Sequence, residues 1–135
     1  MHTLAQTAPP SKKIRWAGCI LSTLAILFLL FDSSGKLLKL APVVEGTVQL
    51  GYPESAILGI GLVELVCLAL YVIPRTSILG AVLLTGFLGG AVATHVRLDN
   101  PLFSHILFPV YIGALLWAGL FLLDARTRTL LPVRS

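Results

Sequence analysis

Four long apolar runs, separated by shorter polar stretches, dominate the pattern of this chain. They cover residues 16–31, 55–73, 77–95 and 102–123. A helix needs about 20 residues to cross the roughly 30 Å hydrocarbon core of a bilayer. The last three runs have this length, and the first reaches it if its helix continues past Asp32. The pattern therefore predicts an all-α fold, an integral membrane four-helix bundle with spans at about 15–38, 55–73, 77–96 and 102–123.

The first run also has features of a cleaved signal peptide, because three basic residues precede an apolar stretch. The segment that follows the run, Phe31-Asp32-Ser33-Ser34, is a poor cleavage site of the small-x-small type. Three further apolar runs follow it. We therefore favour a first helix that is retained in the membrane.

Basic residues are distributed unequally between the two ends of the predicted bundle. Seven lie at the end that holds both termini: Lys12, Lys13, Arg15, Arg75, Arg126, Arg128 and Arg134. Three lie at the other end: Lys36, Lys39 and Arg97. Because cytoplasmic loops are enriched in Lys and Arg, this difference predicts that both termini are cytoplasmic. Residues 1–13 would then form a flexible cytoplasmic tail, and residues 14–131 a single four-helix transmembrane domain.

The link between the first two spans, residues 40–54, is the longest connection in the predicted bundle. It contains four residues that often interrupt secondary structure: Pro42, Gly46, Gly51 and Pro53. Between them, apolar residues alternate with small or polar ones. The link is predicted either to lie across one mouth of the bundle as a lid or to be a plain interfacial loop.

Composition agrees with a membrane protein and argues against other classes. The chain is 56% hydrophobic and only 12% charged, whereas soluble domains average about 25% charged residues. The net charge of +4 is explained by basic residues that flank the apolar runs, so no nucleic-acid partner is expected. The two cysteines form no C-x-x-C motif and have no histidine at zinc-ligand spacing, so no metal site is expected.

Six ionisable side chains lie inside the apolar runs or at their ends, and they locate the candidate site. They are Asp32, Lys36, Glu64, His95, Arg97 and His105. A charged residue at the bilayer centre costs roughly 2.5–3.5 kcal/mol on insertion scales, so it persists only where something compensates it. At 1.5 Å per residue, Glu64 lies about 14 Å below the start of its span, and the other five lie near the outer end. The six predict a funnel that opens outward, with Glu64 at its base.

Most of these residues also have simpler explanations. Asp32 and Lys36 have the i,i+4 spacing of a surface ion pair, and Arg97 can reach lipid phosphate. His95 and His105 can be ordinary helix-end histidines, and as metal or haem ligands they lack an evident third partner. Glu64 is different, because a carboxylate near the midplane must be neutral or paired.

Small residues recur on one face of the third span, at Ala81, Thr85, Gly89 and Ala93. Four-residue spacing places them on one side of a helix. Stripes of small residues let two helix backbones approach closely. The stripe predicts either packing within the bundle or a homodimer interface.

Four segments of the chain resemble the DoxX-like family of small bacterial membrane proteins. They are Ser34-Gly35-Lys36-Leu37, Leu50-Gly51-Tyr52-Pro53, the segment GGAVATHVR at 89–97, and Pro101-Leu102-Phe103-Ser104-His105. The resemblance covers about residues 16–131 and implies a compact bundle of four transmembrane helices in the bacterial inner (cytoplasmic) membrane. Its namesakes are linked to quinone-dependent redox systems, which implies quinone as a ligand and a redox complex as a partner. The positions of Lys36, Thr94, His95 and Arg97 match the family pattern.

The first functional hypothesis is a small-molecule binding or accessory subunit of a membrane redox system, with quinone as the ligand and no other cofactor evident. In it, Lys36 and Arg97 hold an anionic or carbonyl group, and a histidine or Glu64 relays a proton. An autonomous enzyme is not expected, and a catalytic role would be that of a quinone-linked oxidoreductase subunit. The alternatives are an assembly or interaction protein without a ligand, and a small oligomeric transporter.

Overall fold

The computed structural model describes residues 11–130, and within this range the chain is helical and contains no strand. The helices are α1 (Lys12–Leu37), α2 (Ala41–Gln49), α3 (Ile57–Val72), α4 (Ser77–Arg97), α5 (Phe108–Leu123) and α6 (Ala125–Leu130). A 3₁₀ turn, Glu54–Ala56, leads into α3, and a π-helical turn, Leu102–Ile106, leads into α5. Most of the predicted tail at 1–13 lies outside the described residues, as does Arg134, whereas Lys12 and Lys13 already belong to α1.

Among residues 11–130, four helical segments are long and apolar enough to cross a membrane, which confirms the predicted four-helix fold class. They are Lys12–Leu37, Glu54–Val72, Ser77–Arg97 and Leu102–Leu123. Large apolar side chains such as Leu24, Phe31 and Val66 point away from the bundle, where a soluble protein would place polar groups. The chain is a multi-pass membrane protein whose outer surface suits lipid.

Much of the 40–54 link is helical, since residues Ala41–Gln49 form α2 although the sequence places helix-interrupting residues there. Pro42 does not interrupt α2, because it lies in the first turn. Backbone N–H groups there have no acceptor within the helix, so the N–H that proline lacks is not needed. Gly46 lies within α2 with open space beside its Cα. Gly51, at φ +93°, and Pro53, which lies in extended conformation before the 3₁₀ turn, act as the breakers that their residue types suggest.

One half of the bundle, which we call the packed half, brings helix backbones into direct contact. A Cβ atom at Gly80 of α4 would overlap the backbone nitrogen and Cα of Tyr71 in α3. A Cβ at Gly119 of α5 would lie 2.9 Å from the backbone nitrogen of Ser22 in α1. Both glycines are therefore needed for the close approach of neighbouring helices.

A buried hydrogen-bond chain joins three helices in the packed half. The Tyr71 hydroxyl donates to the Leu116 carbonyl at 2.7 Å. Ser22 Oγ lies 3.1 Å from the same hydroxyl oxygen and, because the tyrosine proton is already used, acts as the donor to it. The chain ties α1, α3 and α5 together at one level of the bundle.

The short helix α6 is anchored to the packed half by ionic contacts. The Arg126 guanidinium donates to the Pro74 carbonyl at 2.5 Å and pairs with Asp124 at 2.8 Å. These hydrogen bonds hold the pKa of the Asp124 carboxyl below its usual value of 3.8. Arg128 donates to the Phe121 carbonyl at 2.9 Å, which caps the end of α5.

The small-residue stripe of α4 divides into a buried part and an exposed part. Ala81 is fully buried against the bundle. Thr85, Gly89 and Ala93 are exposed, and a Cβ at Gly89 would meet nothing within 4 Å. Packing within the bundle, one of the two predicted uses of the stripe, therefore holds for Ala81 and, through a hydrogen bond from Trp117 of α5, for Thr85.

Candidate functional site

A cluster of three charged residues lies where α1 meets α3. Lys36 Nζ donates to Glu64 Oε2 at 2.8 Å and also to Asp32 Oδ2. Gly61, one turn before Glu64 on α3, makes this approach geometrically feasible, because a Cβ there would lie 2.9 Å from the Cβ of Lys36. The sequence predicted the pairing of Asp32 with Lys36, and the structure adds Glu64 to it.

Glu64 is fully buried, and only one of its carboxylate oxygens has a partner. Oε2 accepts from Lys36, while Oε1 is buried and makes no hydrogen bond to any described residue. Lys36 therefore serves two carboxylates, and its ammonium also lies 5.7 Å from the centroid of the Phe87 ring. A buried acceptor without a donor is energetically costly, so Glu64 is suited to take up a proton or a ligand's donor group.

The charged cluster lines a cavity of about 770 Å³ that lies between the helices. Small-molecule pockets usually measure about 300–1,000 Å³, so the volume suits a ligand of moderate size. Aromatic and aliphatic side chains form much of the wall, among them Phe28, Phe87, Phe108 and Ile112. The polar lining includes Asp32, Lys36, Thr47, Tyr52, Glu64, Thr94, His95, Asn100 and His105. We call this part of the bundle the cavity half.

The two predicted histidines lie side by side in the cavity wall. Their ring centroids are 5.8 Å apart, and the rings are inclined at 73°. His95 Nδ1 accepts from the Asn100 amide at 2.8 Å, which leaves its Nε2 to carry the proton in the neutral ring. Within residues 11–130, no group of three or more His, Cys, Asp or Glu residues could hold a metal ion.

Arg97 lies apart from the other five candidates and does not line the cavity. Its guanidinium donates to the Leu50 carbonyl at 2.7 Å, across the end of the link. The neighbouring Gly51 leaves room for this contact, since a Cβ there would lie 2.9 Å from Arg97 Nη2. Arg97 thus fastens the α2–α3 connection to α4, and its contact with a ligand stays a prediction.

The structure adds lining residues that the sequence analysis did not select. Tyr52 lies in the link after α2, and its hydroxyl lies 2.8 Å from Thr94 Oγ1. Because Thr94 donates to the Gly90 carbonyl at 2.9 Å, Tyr52 must be the donor in this pair. Val43 and Thr47 of α2 also line the cavity, so the link covers part of it. The available signal was that Tyr52 and Thr94 belong to segments that resemble the family.

These features define a class: a multi-pass membrane protein whose four-helix bundle encloses a partly polar cavity. Residues 20–119 match the model of the DoxX-like family. This match covers most of the chain, and the protein belongs to the DoxX-like family. None of the curated proteins and none of the solved structures compared with the chain matches it.

Proposed function

We propose that the protein binds a quinone-type molecule in the cavity and serves as an accessory subunit of a membrane redox system. The observation that carries the proposal is the fully buried Glu64, which lines a cavity with aromatic walls: its Oε2 accepts from Lys36, while Oε1 has no partner among the described residues. A flat ring with two carbonyl groups matches these features, since aromatic side chains can pack on the ring while Lys36 donates to an oxygen.

The residues divide into holding groups and proton-exchanging groups in this proposal. A bound quinone would accept electrons and protons when it is reduced. Lys36 supplies the donor that orients a carbonyl oxygen, and Phe28, Phe87 and Phe108 line the space for the ring. Glu64 and His95 are ionisable groups that line the cavity, so they are suited to give or take protons there. The electron donor would be a partner in the redox complex, which is why the chain itself is not proposed as an autonomous enzyme.

Mass spectrometry of the protein purified in mild detergent tests the ligand directly. We expect co-purified quinone with the wild type and at least tenfold less with Glu64→Gln and with His95→Ala. Glu45→Gln is the matched control, because Glu45 is exposed on α2 and does not line the cavity. Equal ligand in the wild type and in both site variants would contradict the proposed site.

The proposed location is the bacterial inner membrane, with both termini in the cytoplasm. Seven basic residues at the end of the termini against three at the other support this orientation. Cysteine introduced at Gly46, which has open space on α2, should react with an impermeant reagent from outside. Cysteine at Arg75 should react only after permeabilisation, and the reverse pattern would contradict the orientation.

A second candidate is an assembly protein that binds a partner or a second copy through α4. It is favoured by the exposed residues Thr85, Gly89 and Ala93, since Gly89 has open space beside it. The same purification distinguishes the candidates. A stoichiometric protein partner or a homodimer without bound quinone would favour assembly over ligand binding, and ligand movement in reconstituted vesicles would favour a transporter.

A further inference from the structure

A second void of about 340 Å³ lies on the outer surface of the bundle, between α4 and α5. We call it the α4–α5 groove. Apart from Thr85 and Trp117, its lining is aliphatic, proline or glycine. Gly89 and Gly113 lie on its opposite walls, and the open space beside Gly89 shows that the missing side chain helps to keep the groove unfilled. The groove therefore persists in a fold whose packed half is closely filled.

The two polar side chains in the groove satisfy each other. The Trp117 indole N–H donates to Thr85 Oγ1 at 2.7 Å, and the Thr85 hydroxyl donates to the Ala81 carbonyl at 2.7 Å. Because both donors are engaged, the groove offers no free proton to a polar ligand. Its chemistry suits a hydrocarbon chain, and its exposure on a membrane-spanning surface places it against lipid.

The α4–α5 groove meets the cavity at two shared residues. Leu88 of α4 and Pro109 of α5 line both voids. Pro109 follows the π-helical turn at the start of α5, where the helix is interrupted. From Pro109 to Trp117, the groove extends about 12 Å along α5 at 1.5 Å per residue. The two voids are therefore neighbours, and a chain attached to a molecule in the cavity would have to pass only Leu88 and Pro109 to reach the groove.

We infer that the ligand of the cavity is an amphiphile, whose polar ring occupies the cavity while a long hydrocarbon tail leaves between Leu88 and Pro109 along the α4–α5 groove. This inference rests on the proposed function and names the class of quinone that the site selects, a long-tailed one. The occupant of the groove is the tail of the bound ligand. A separate lipid chain and a second copy of the protein are the competing occupants.

Binding of two quinones with the same ring and different tails tests the inference. One carries a single isoprene unit, which needs no exit, and the other carries a decyl chain. We expect Gly89→Phe to weaken binding of the decyl compound about tenfold, because the phenyl ring fills the groove, and to leave the short-tailed compound unchanged. Gly59→Phe is the matched control, since Gly59 is also exposed within a helix with open space beside it but lies on α3, away from the groove.

Each outcome of this experiment is decisive. Selective loss of the decyl compound in Gly89→Phe, with Gly59→Phe like the wild type, supports the inference. If Gly89→Phe binds both compounds as the wild type does, the tail exit is wrong while the quinone site stands. If the wild type binds neither compound, the proposed function and the tail exit both fall. If Gly89→Phe instead converts a dimer into a monomer and leaves both affinities unchanged, the groove is an interface between copies and the inference is overturned.

Discussion

The packed half and the cavity half use glycine for opposite purposes. In the packed half, Gly80 and Gly119 let backbones touch, and the space between helices is filled. In the cavity half, Gly61 lets α1 approach α3 at the point where Lys36 contacts Glu64. A cavity of about 770 Å³ remains beside this ion pair. Close packing is therefore a structural requirement in one half and a means of assembling a charged cluster in the other.

The two halves also differ in how their buried polar groups are satisfied. In the packed half, Tyr71, Ser22 and the Leu116 carbonyl form a complete chain of hydrogen bonds. In the cavity half, Glu64 Oε1 has no donor within the part of the chain that the structure describes. A complete network stabilises the fold, whereas an incomplete one in a cavity is where a ligand can contribute the missing group.

Replacing Lys36 by methionine should give the largest effect and would show how strongly the cavity half depends on its charges. Lys36→Met leaves Glu64 buried without its donor, which should lower the free energy of unfolding by about 3 kcal/mol. Unfolding in a detergent titration measures the loss. The double variant Lys36→Met/Glu64→Met should recover part of it, and a double variant no more stable than the single one would contradict the pairing.

Adding one methyl group at Gly80 tests the backbone contact of the packed half. Gly80→Ala places a Cβ on the backbone of Tyr71, so the helices must separate, and we expect a loss of about 2 kcal/mol. Gly89→Ala is the matched control on the same helix, where open space should make the change neutral or slightly stabilising. Thermal unfolding in detergent compares the two, and equal stability would refute the difference between these positions.

Much of the fold follows from the hydrophobic pattern, whereas much of the site does not. The four spans could be predicted because their length and apolar character are set by the bilayer, and the importance of Glu64 because a midplane carboxylate needs compensation. The pattern does not say which face of a span points inward, since lipid-facing and core-facing residues are both apolar. The contact of Lys36 with Glu64 and the position of Arg97 outside the cavity therefore needed the structure.

The helix α2 shows a second limit of sequence interpretation. Pro42 and Gly46 favour a loop by residue type, yet α2 tolerates both, one in its first turn and one on an open face. The position of Tyr52 in the cavity lining could not be predicted either. Its link to Thr94 joins residues that lie far apart in the chain, and local spacing carries no information about such a contact.

Removing the Tyr71 hydroxyl should separate stability from ligand binding. Tyr71→Phe loses the bond to the Leu116 carbonyl, and we expect a loss of about 1 kcal/mol in the free energy of unfolding. Quinone binding should be unchanged, because Tyr71 does not line the cavity. If Tyr71→Phe kept the stability of the wild type but lost quinone binding, the assignment of stability to the packed half and of ligand binding to the cavity half would be wrong.

Acidification should give the smallest effect, at the end of the packed half. The pKa of Asp124 is lowered by its hydrogen bonds to Arg126, so the pairing stabilises the fold above the usual pKa of 3.8. That contribution is lost as the pH falls through the lowered pKa, when the carboxyl takes up a proton. Unfolding measured above and below pH 3.8 should show this small loss in the wild type and less of it in Asp124→Asn. An equal decrease in both proteins would contradict the role of the pair.

The ion cluster also bears on the order in which the helices enter the bilayer during synthesis. Asp32 and Lys36 belong to the same helix, so α1 arrives with its opposite charges already matched. Helix α3 arrives later with an acid at Glu64, for which insertion alone is costly. The Lys36 ammonium of α1 can pair with Glu64 and so reduce this cost, which favours the entry of α3 into lipid beside α1. The first helix would in this way assist the membrane insertion of α3.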